Sequence, residues 1–171
     1  MEKEILSQKV SKGTKFVEFI LKQMEQSTAV GAILRRADNP ATEYQAWEFL
    51  SRWCDLDNTY ERTCYATIAA SLAHSKKTSE MGIGQVIARC YPDGNQDDSA
   101  KRKLRRLLAC DTSLEVCQWL RPILRLASSR GINVNYGKLL EDLLYFNPKV
   151  KEKWAVDFYG KKGEANDSVS S

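Results

Sequence analysis

Residues 98–131 read DSAKRKLRRLLACDTSLEVCQWLRPILRLASSRG and contain two amphipathic helical patterns separated by a short turn. In the first pattern, the apolar residues Ala100, Leu104, Leu107 and Leu108 recur at the spacing of one face of an α-helix. In the second pattern, Leu120, Ile123, Leu124 and Ala127 do the same, and we predict that these eight residues face the core. The second pattern begins at the capping box Thr112-Ser-Leu-Glu115 and ends near Arg130-Gly131, where glycine supplies the left-handed cap of a helix. The stretch therefore predicts helices over about 98–109 and 112–130.

Helical signals continue on both sides of this stretch. They consist of apolar residues at helical spacing and of two further capping boxes, Thr42–Gln45 and Asn58–Glu61. The additional helices are predicted over about 14–26, 29–36, 42–53, 58–73, 83–90, 135–146 and 148–159. Only 132–136 alternates like a β-strand, and one isolated strand does not form a sheet. We therefore predict an all-α fold of eight or nine helices.

One turn divides the chain. Tyr91-Pro-Asp-Gly-Asn95 combines the residue types that are typical of turns. We therefore expect two packed small helical bundles, formed by residues 1–91 and 92–159. The small, polar segment 160–171 is expected to be a disordered tail.

Composition excludes several classes of protein. The 171 residues are 43% hydrophobic, which suffices to bury a core without a metal or a disulfide. The longest uncharged apolar run, Cys64–Ala73, is about half of the ~20 residues that a membrane span needs, so we expect no membrane contact. Five cysteines without a Cys-x-x-Cys pair and a single histidine predict neither a metal site nor a cofactor. No apolar signal segment follows Met1–Glu4, so we expect a cytoplasmic protein with reduced thiols.

The net charge of +4 is distributed unevenly. Residues 101–130 hold eight basic and two acidic residues, a net charge of +6, whereas the remaining residues hold 18 basic and 20 acidic ones, a net charge of −2. Like charges four positions apart destabilise a helix by about 0.2–0.5 kcal/mol per pair. A segment that contains such like-charged pairs in spite of this cost indicates a ligand that supplies the negative charge. We expect this ligand to be nucleic acid.

The candidate binding side chains lie on the polar faces of the two helices. At about 100° per residue, Arg102 and Arg106 lie opposite the first apolar face, and Arg121 and Arg125 are neighbours on the second helix. Since the connecting turn is short, we expect the two basic faces to adjoin, with Trp119 at their edge and able to stack on a base. The side chains predicted to bind nucleic acid here are Arg102, Lys103, Arg105, Arg106, Arg121 and Arg125.

Other functions stay open but have weaker support. The helices over 98–109 and 112–130 also suit an independent helix-turn-helix regulator of transcription, or a structural adaptor whose basic face meets an acidic protein. Catalysis has little support, because His74 is the only histidine and nothing in the sequence places a cysteine nucleophile beside it. Gly82-Ile-Gly84 lacks the third glycine of a dinucleotide fingerprint. We therefore expect that the protein is not an enzyme.

Several short blocks occur in an order that resembles a known family. In the C-terminal half they are GIGQVIA (82–88), RKLRRLL (102–108), LEVCQWLRPIL (114–124), VNYGKLLEDLL (134–144) and WAVDFY (154–159). The N-terminal half agrees through Phe16-Val17, AILRRA (32–37) and Ala46-Trp47. No block is specific alone, but their order and spacing resemble the CasB family, the small subunit of the type I-E CRISPR complex Cascade.

The resemblance implies a non-catalytic subunit that lies beside the backbone and large subunits of Cascade and a second copy of itself. It implies contacts with the phosphate backbones of guide RNA and single-stranded target DNA, which hold the target strand and the displaced strand of the R-loop during antiviral defence. The basic family positions that this chain matches are Lys76, Lys77, Arg102, Lys103, Arg121 and Lys149. Pro122 departs from the family pattern, and we expect it to remove a backbone donor from its helix.

Overall fold

The computed structural model describes residues 10–160, which form nine α-helices and no β-strand. The helices are α1 (Lys12–Gln26), α2 (Thr28–Arg35), α3 (Trp47–Leu50), α4 (Thr59–Ser75), α5 (Ile83–Arg89), α6 (Asp98–Leu108), α7 (Ser113–Ser129), α8 (Tyr136–Leu144) and α9 (Pro148–Tyr159). The prediction of an all-α fold is confirmed. The tail predicted over 160–171 lies outside the described residues, apart from Gly160.

Side-chain caps begin two helices where the sequence predicts them. Asn58 accepts a hydrogen bond from the Glu61 N–H at 3.1 Å, and Thr112 accepts one from the Glu115 N–H at 3.3 Å. The capping box predicted at Thr42 is wrong. The Thr42 hydroxyl donates to the carbonyl oxygen of Arg36 at 2.8 Å, and a 3₁₀ turn at Glu43–Ala46 precedes the single turn of α3. The helix predicted over 42–53 is therefore shorter than expected, and the Thr42 hydroxyl is not available as its cap because it bonds to the end of α2.

α4 lies at the centre of the fold. Every residue from Cys64 to Ala73 is buried, and α4 packs against α1, α2, α7 and α8. A helix that is covered on all sides needs no polar face, which explains the uninterrupted apolar run in the sequence.

Packing joins helices from both sides of residue 91. α1 packs against α8, α4 packs against α7, and α5 packs against α9. Side chains from both halves contribute to one hydrophobic core. The division into bundles 1–91 and 92–159 stays a prediction.

α6 and α7 are joined by residues 109–112 and pack against each other. Seven of the eight apolar residues predicted to face the core are buried, and Leu108 is half-buried. Gly131, with φ of +71°, follows α7 in the left-handed conformation that the sequence predicts. None of the helices between residues 10 and 160 is long and apolar enough to cross a membrane.

Candidate nucleic-acid interface

A surface recess of about 340 Å³ runs between α6 and α7, and we call it the α6–α7 groove. Its lining residues are Tyr91, Ser99, Arg102, Lys103, Arg106, Trp119, Pro122 and Ile123. Three of the basic side chains that the sequence singles out therefore line one recess together with two aromatic rings.

The cations of α6 reach the groove because the opposite side of the helix is anchored in the core. The Asp97 carboxylate caps α6 and accepts hydrogen bonds from two backbone N–H groups, at 2.8 and 3.0 Å. Leu104 and Leu107 are fully buried. This fixes the rotation of α6 about its axis and leaves Arg102 and Arg106 exposed.

Arg106 stacks on Trp119 across the groove. The guanidinium carbon lies 4.3 Å from the centroid of the indole, and 40% of the Trp119 surface is exposed. A cation over an aromatic face is attracted by the ring while its N–H donors remain free for other partners. A second pair of this kind places Arg130 5.4 Å from the centre of the Tyr91 ring. Sequence analysis missed Tyr91 as a site residue, because it lies in a turn without periodic signals.

The positive charge of α6 is not neutralised by nearby acidic side chains. Within the described range, no carboxylate pairs with Arg102, Lys103, Arg105 or Arg106. The Arg102 guanidinium donates to the Ser99 hydroxyl, at 3.1 Å. Arg105 is exposed but does not line the groove. The groove therefore presents an uncompensated positive potential.

Arg121 and Arg125 line a second recess, of about 450 Å³, which we call the α2–α7 cleft. Its other lining residues are Asp38, Asn39, Pro40, Gln118 and Pro122. Arg125 pairs with Asp38 at 3.4 Å. The Nε–H of Arg121 is buried and has no acceptor among residues 10–160. A buried donor without an acceptor is unfavourable.

Pro122 lies where the groove and the cleft meet, since it lines both. α7 continues through it from Ser113 to Ser129, so the proline does not end the helix. Because proline has no N–H, the carbonyl oxygen of Gln118 lacks its helical donor, as the sequence predicts. The basic faces of α6 and α7 thus form two recesses that adjoin at Pro122.

Lys76 and Lys77 begin the loop that follows α4, and both are exposed. Lys76 adopts a left-handed conformation, with φ of +60°, and its N–H donates to the carbonyl oxygen of Leu72 at 2.7 Å. The loop is anchored farther along, where the Ser79 N–H donates to the carbonyl oxygen of Val134 at 3.2 Å. These contacts fix the start of the loop at the end of α4.

Arg35, the last residue of α2, lies beside the start of this loop. Arg35 and Lys76 line one recess of about 480 Å³. Partial burial and the nearby cation of Arg125 lower the pKa of His74, with a smaller contribution from Arg35, while Asp38 opposes them. The imidazole of His74 therefore responds to charges on α2, on the segment that follows it and on α7. Sequence analysis missed Arg35, because it belongs to a distant helix without a basic pattern of its own.

Lys149 has different surroundings. Its ammonium pairs with Glu152 at 3.5 Å, and it lines a recess together with Glu141 and Asp142. The structure thus brings Arg102, Lys103 and Arg106 together and places Arg121 and Arg125 beside them. Lys149 lines neither the groove nor the cleft, and its binding role stays a prediction.

Comparisons with known proteins agree with the fold. A family model described as CRISPR-associated protein Cse2 matches residues 30–159. The structure is similar to that of CasB from M. ruber, with a TM-score of 0.72, 26% sequence identity, and coverage of 94% of this chain and 99% of that one. Two structures from Thermus thermophilus, one described as a Cse2-family CRISPR-associated protein and the other as CasB, are each 22% identical. Their TM-scores are 0.72 and 0.73, over 89% of this chain and 100% of theirs.

The fold and the family match together define a CRISPR-associated protein. The chain belongs to the Cse2 (CasB) family. This confirms the resemblance to the Cascade small subunit that the order of its sequence blocks indicates. A comparison with curated protein sequences gave no match.

Proposed function

We propose that this chain is a non-catalytic nucleic-acid-binding subunit of a type I-E Cascade complex. In this role it stabilises the pairing of guide RNA with target DNA and holds the displaced strand of the R-loop. The observation that carries the proposal is the cluster of cations without carboxylate partners in the α6–α7 groove, beside the cationic α2–α7 cleft. A cluster of this kind on one side of two packed helices is the electrostatic pattern of a phosphate-binding surface.

The proposed mechanism relies on backbone contacts. A subunit that holds strands of any sequence needs contacts to phosphates and no reading of base edges. Replacing a DNA duplex with a guide heteroduplex is nearly balanced in free energy, so a few contacts to the displaced strand shift the equilibrium towards the open state. The proposed partners are guide RNA and target DNA, the backbone and large subunits of Cascade, and a second copy of this chain.

Salt dependence tests the proposal. Each phosphate contact to a single strand contributes about −0.7 to the slope of log affinity against log salt concentration. We expect a strong dependence for the wild-type chain and a slope smaller by about 2 to 3 when Arg102, Arg106, Arg121 and Arg125 are all changed to alanine. A flat dependence in the wild type, or unchanged affinity in the variant, would show that this surface does not bind nucleic acid.

A control variant tests whether the location of the four cations matters or only the loss of positive charge. Changing Lys15, Lys22, Arg52 and Arg89 to alanine removes four exposed cations outside the groove and the cleft. Net charge falls by the same amount in both variants, so the proposal requires a much smaller loss of affinity in the control.

Sequence preference tests the helix-turn-helix alternative. The four-residue connection between α6 and α7 is the observation in its favour. A regulator would prefer its operator over random duplex by roughly 10³ or more. A small preference among sequences, together with poorer opening of target DNA by Cascade that lacks this subunit, supports the strand-holding role.

A further inference from the structure

We propose that the α6–α7 groove receives one unpaired base, which packs against the stacked pair of Arg106 and Trp119. This inference rests on the proposed function and deepens it, because it makes the surface selective for single-stranded nucleic acid over duplex. The ligand class is an unpaired nucleotide of any base.

The first support is an aromatic surface inside a cationic recess. Trp119 lies on a helix whose core-facing residues are buried, yet 40% of its own surface is exposed, and it lines the groove. The guanidinium carbon of Arg106 lies over the indole, 4.3 Å from the ring centroid. A planar guanidinium over an indole is a surface on which a further planar group stacks.

The second support is the other wall of the groove. Tyr91 lines the same recess, and Arg130 lies 5.4 Å from its ring centre. The groove therefore contains two aromatic rings, each with an arginine packed on it. Proteins that bind single strands combine aromatic rings with a positive groove in this way, because every base offers a face for stacking.

The third support is the arrangement of charge and space. Arg102 and Lys103 line the groove beside the aromatic pair and pair with no carboxylate of residues 10–160, so they remain available to the phosphates that flank a base. A recess of about 340 Å³ lies within the roughly 300–1,000 Å³ of small-ligand sites. A duplex keeps its base faces stacked internally, so it offers phosphates to this surface and no base.

The test compares two strands of equal charge. Binding of the full chain to a thymidine oligonucleotide is compared with binding to an abasic strand that has the same number of phosphates, by fluorescence anisotropy at fixed salt. For the wild type we expect about five-fold or greater preference for the strand with bases. Trp119→Ala should abolish this preference and leave the salt dependence unchanged, whereas Trp119→Phe should retain part of it.

The same anisotropy assay is applied to a control variant that lacks a different aromatic ring. Tyr159→Ala removes another exposed aromatic ring, 45% exposed and on α9, and should keep the full preference. Equal wild-type affinity for both strands, or an undiminished preference in Trp119→Ala, would show that no base stacks in the groove. In either case a strong salt dependence of binding would still support the phosphate contacts of the proposed function. If the wild type binds neither strand, both the inference and the proposed function are wrong.

Discussion

Arg125 on α7 pairs with Asp38, which follows α2, at a distance of 3.4 Å between guanidinium nitrogen and carboxylate oxygen. Asp38 is buried, whereas Arg125 keeps 60% of its side chain exposed. The carboxylate therefore partly neutralises a cation of the α2–α7 cleft. Asp38→Asn should raise affinity for single-stranded DNA about two- to five-fold at low salt, because an ion pair that solvent still reaches through one partner contributes about 0.2–1 kcal/mol. Titration at low and high salt measures the effect.

Glu18→Gln is the matched control for this substitution. Glu18 is an exposed carboxylate on α1 and lines neither the groove nor the cleft, so its loss changes the net charge alone. Equal gains in the two variants, or a loss of affinity in Asp38→Asn, would contradict a binding role for the cleft.

α1 crosses α8 at two glycines, and this crossing has no room for a side chain. A Cβ on Gly13 would lie 2.0 Å from the carbonyl oxygen of Gly137. Gly13→Ala should therefore lower the free energy of unfolding by about 1–3 kcal/mol, because backbone atoms must move apart. Denaturant unfolding followed by circular dichroism measures the change.

Gly31→Ala gives the contrasting result. A Cβ at Gly31, inside α2, would lie 3.5 Å from the flexible end of Arg35, which is an ordinary contact. Alanine in a helix interior is favoured over glycine by up to about 1 kcal/mol, so this variant should be as stable as the wild type or more so. Equal destabilisation by both substitutions would show that the close crossing of α1 and α8 does not limit stability.

Local sequence signals account for the features that depend on neighbours within one helix. The rotation of α6 follows from the spacing of Leu104 and Leu107, which are buried as predicted. The caps at Asn58 and Thr112 follow from contacts over three residues. Periodicity therefore placed Arg102 and Arg106 on the correct face of α6.

Long-range contacts account for the rest. The pairing of Asp38 with Arg125 joins residues 87 positions apart, and helical spacing carries no information at that range. Arg35 on α2 lines one recess with Lys76, which follows α4, because α2 packs on α4. At Thr42, a hydrogen bond to the end of α2 replaced the expected cap. The sequence thus predicted which faces of α6 and α7 are basic, while tertiary packing decided which charges are neutralised.

The five cysteines are free and buried, and this predicts slow thiol chemistry. Burial raises the pKa of Cys54 to about 11 and also raises that of Cys90. Since the thiolate is the reactive form, the folded chain should show little reaction with Ellman's reagent at neutral pH, whereas all five thiols should react in denaturant. A cysteine that is labelled rapidly in the folded chain would contradict this burial.

His74 gives the stability of the fold a predictable dependence on pH. Partial burial and the cation of Arg125 lower the pKa of its imidazole below the ordinary value of about 6.5, so the folded state favours the neutral form. As the pH falls through that ordinary value, the unfolded chain binds a proton more readily than the folded chain, and the contribution of His74 to stability is lost. At higher pH both states are neutral at this residue and the contribution is complete.

Because His74 is the only histidine, its imidazole signal in a proton NMR titration is unambiguous. We expect a pKa below the ordinary value in the wild type and a higher pKa in Arg125→Gln, since that substitution removes the nearby cation. His74→Gln should abolish this residue's part of the stability loss between about pH 7 and 5, where an ordinary histidine titrates. A wild-type pKa at or above the ordinary value, or no response to Arg125→Gln, would show that the charges of the α2–α7 cleft do not act on His74. With single-stranded DNA bound in the cleft, nearby phosphates should raise the same pKa.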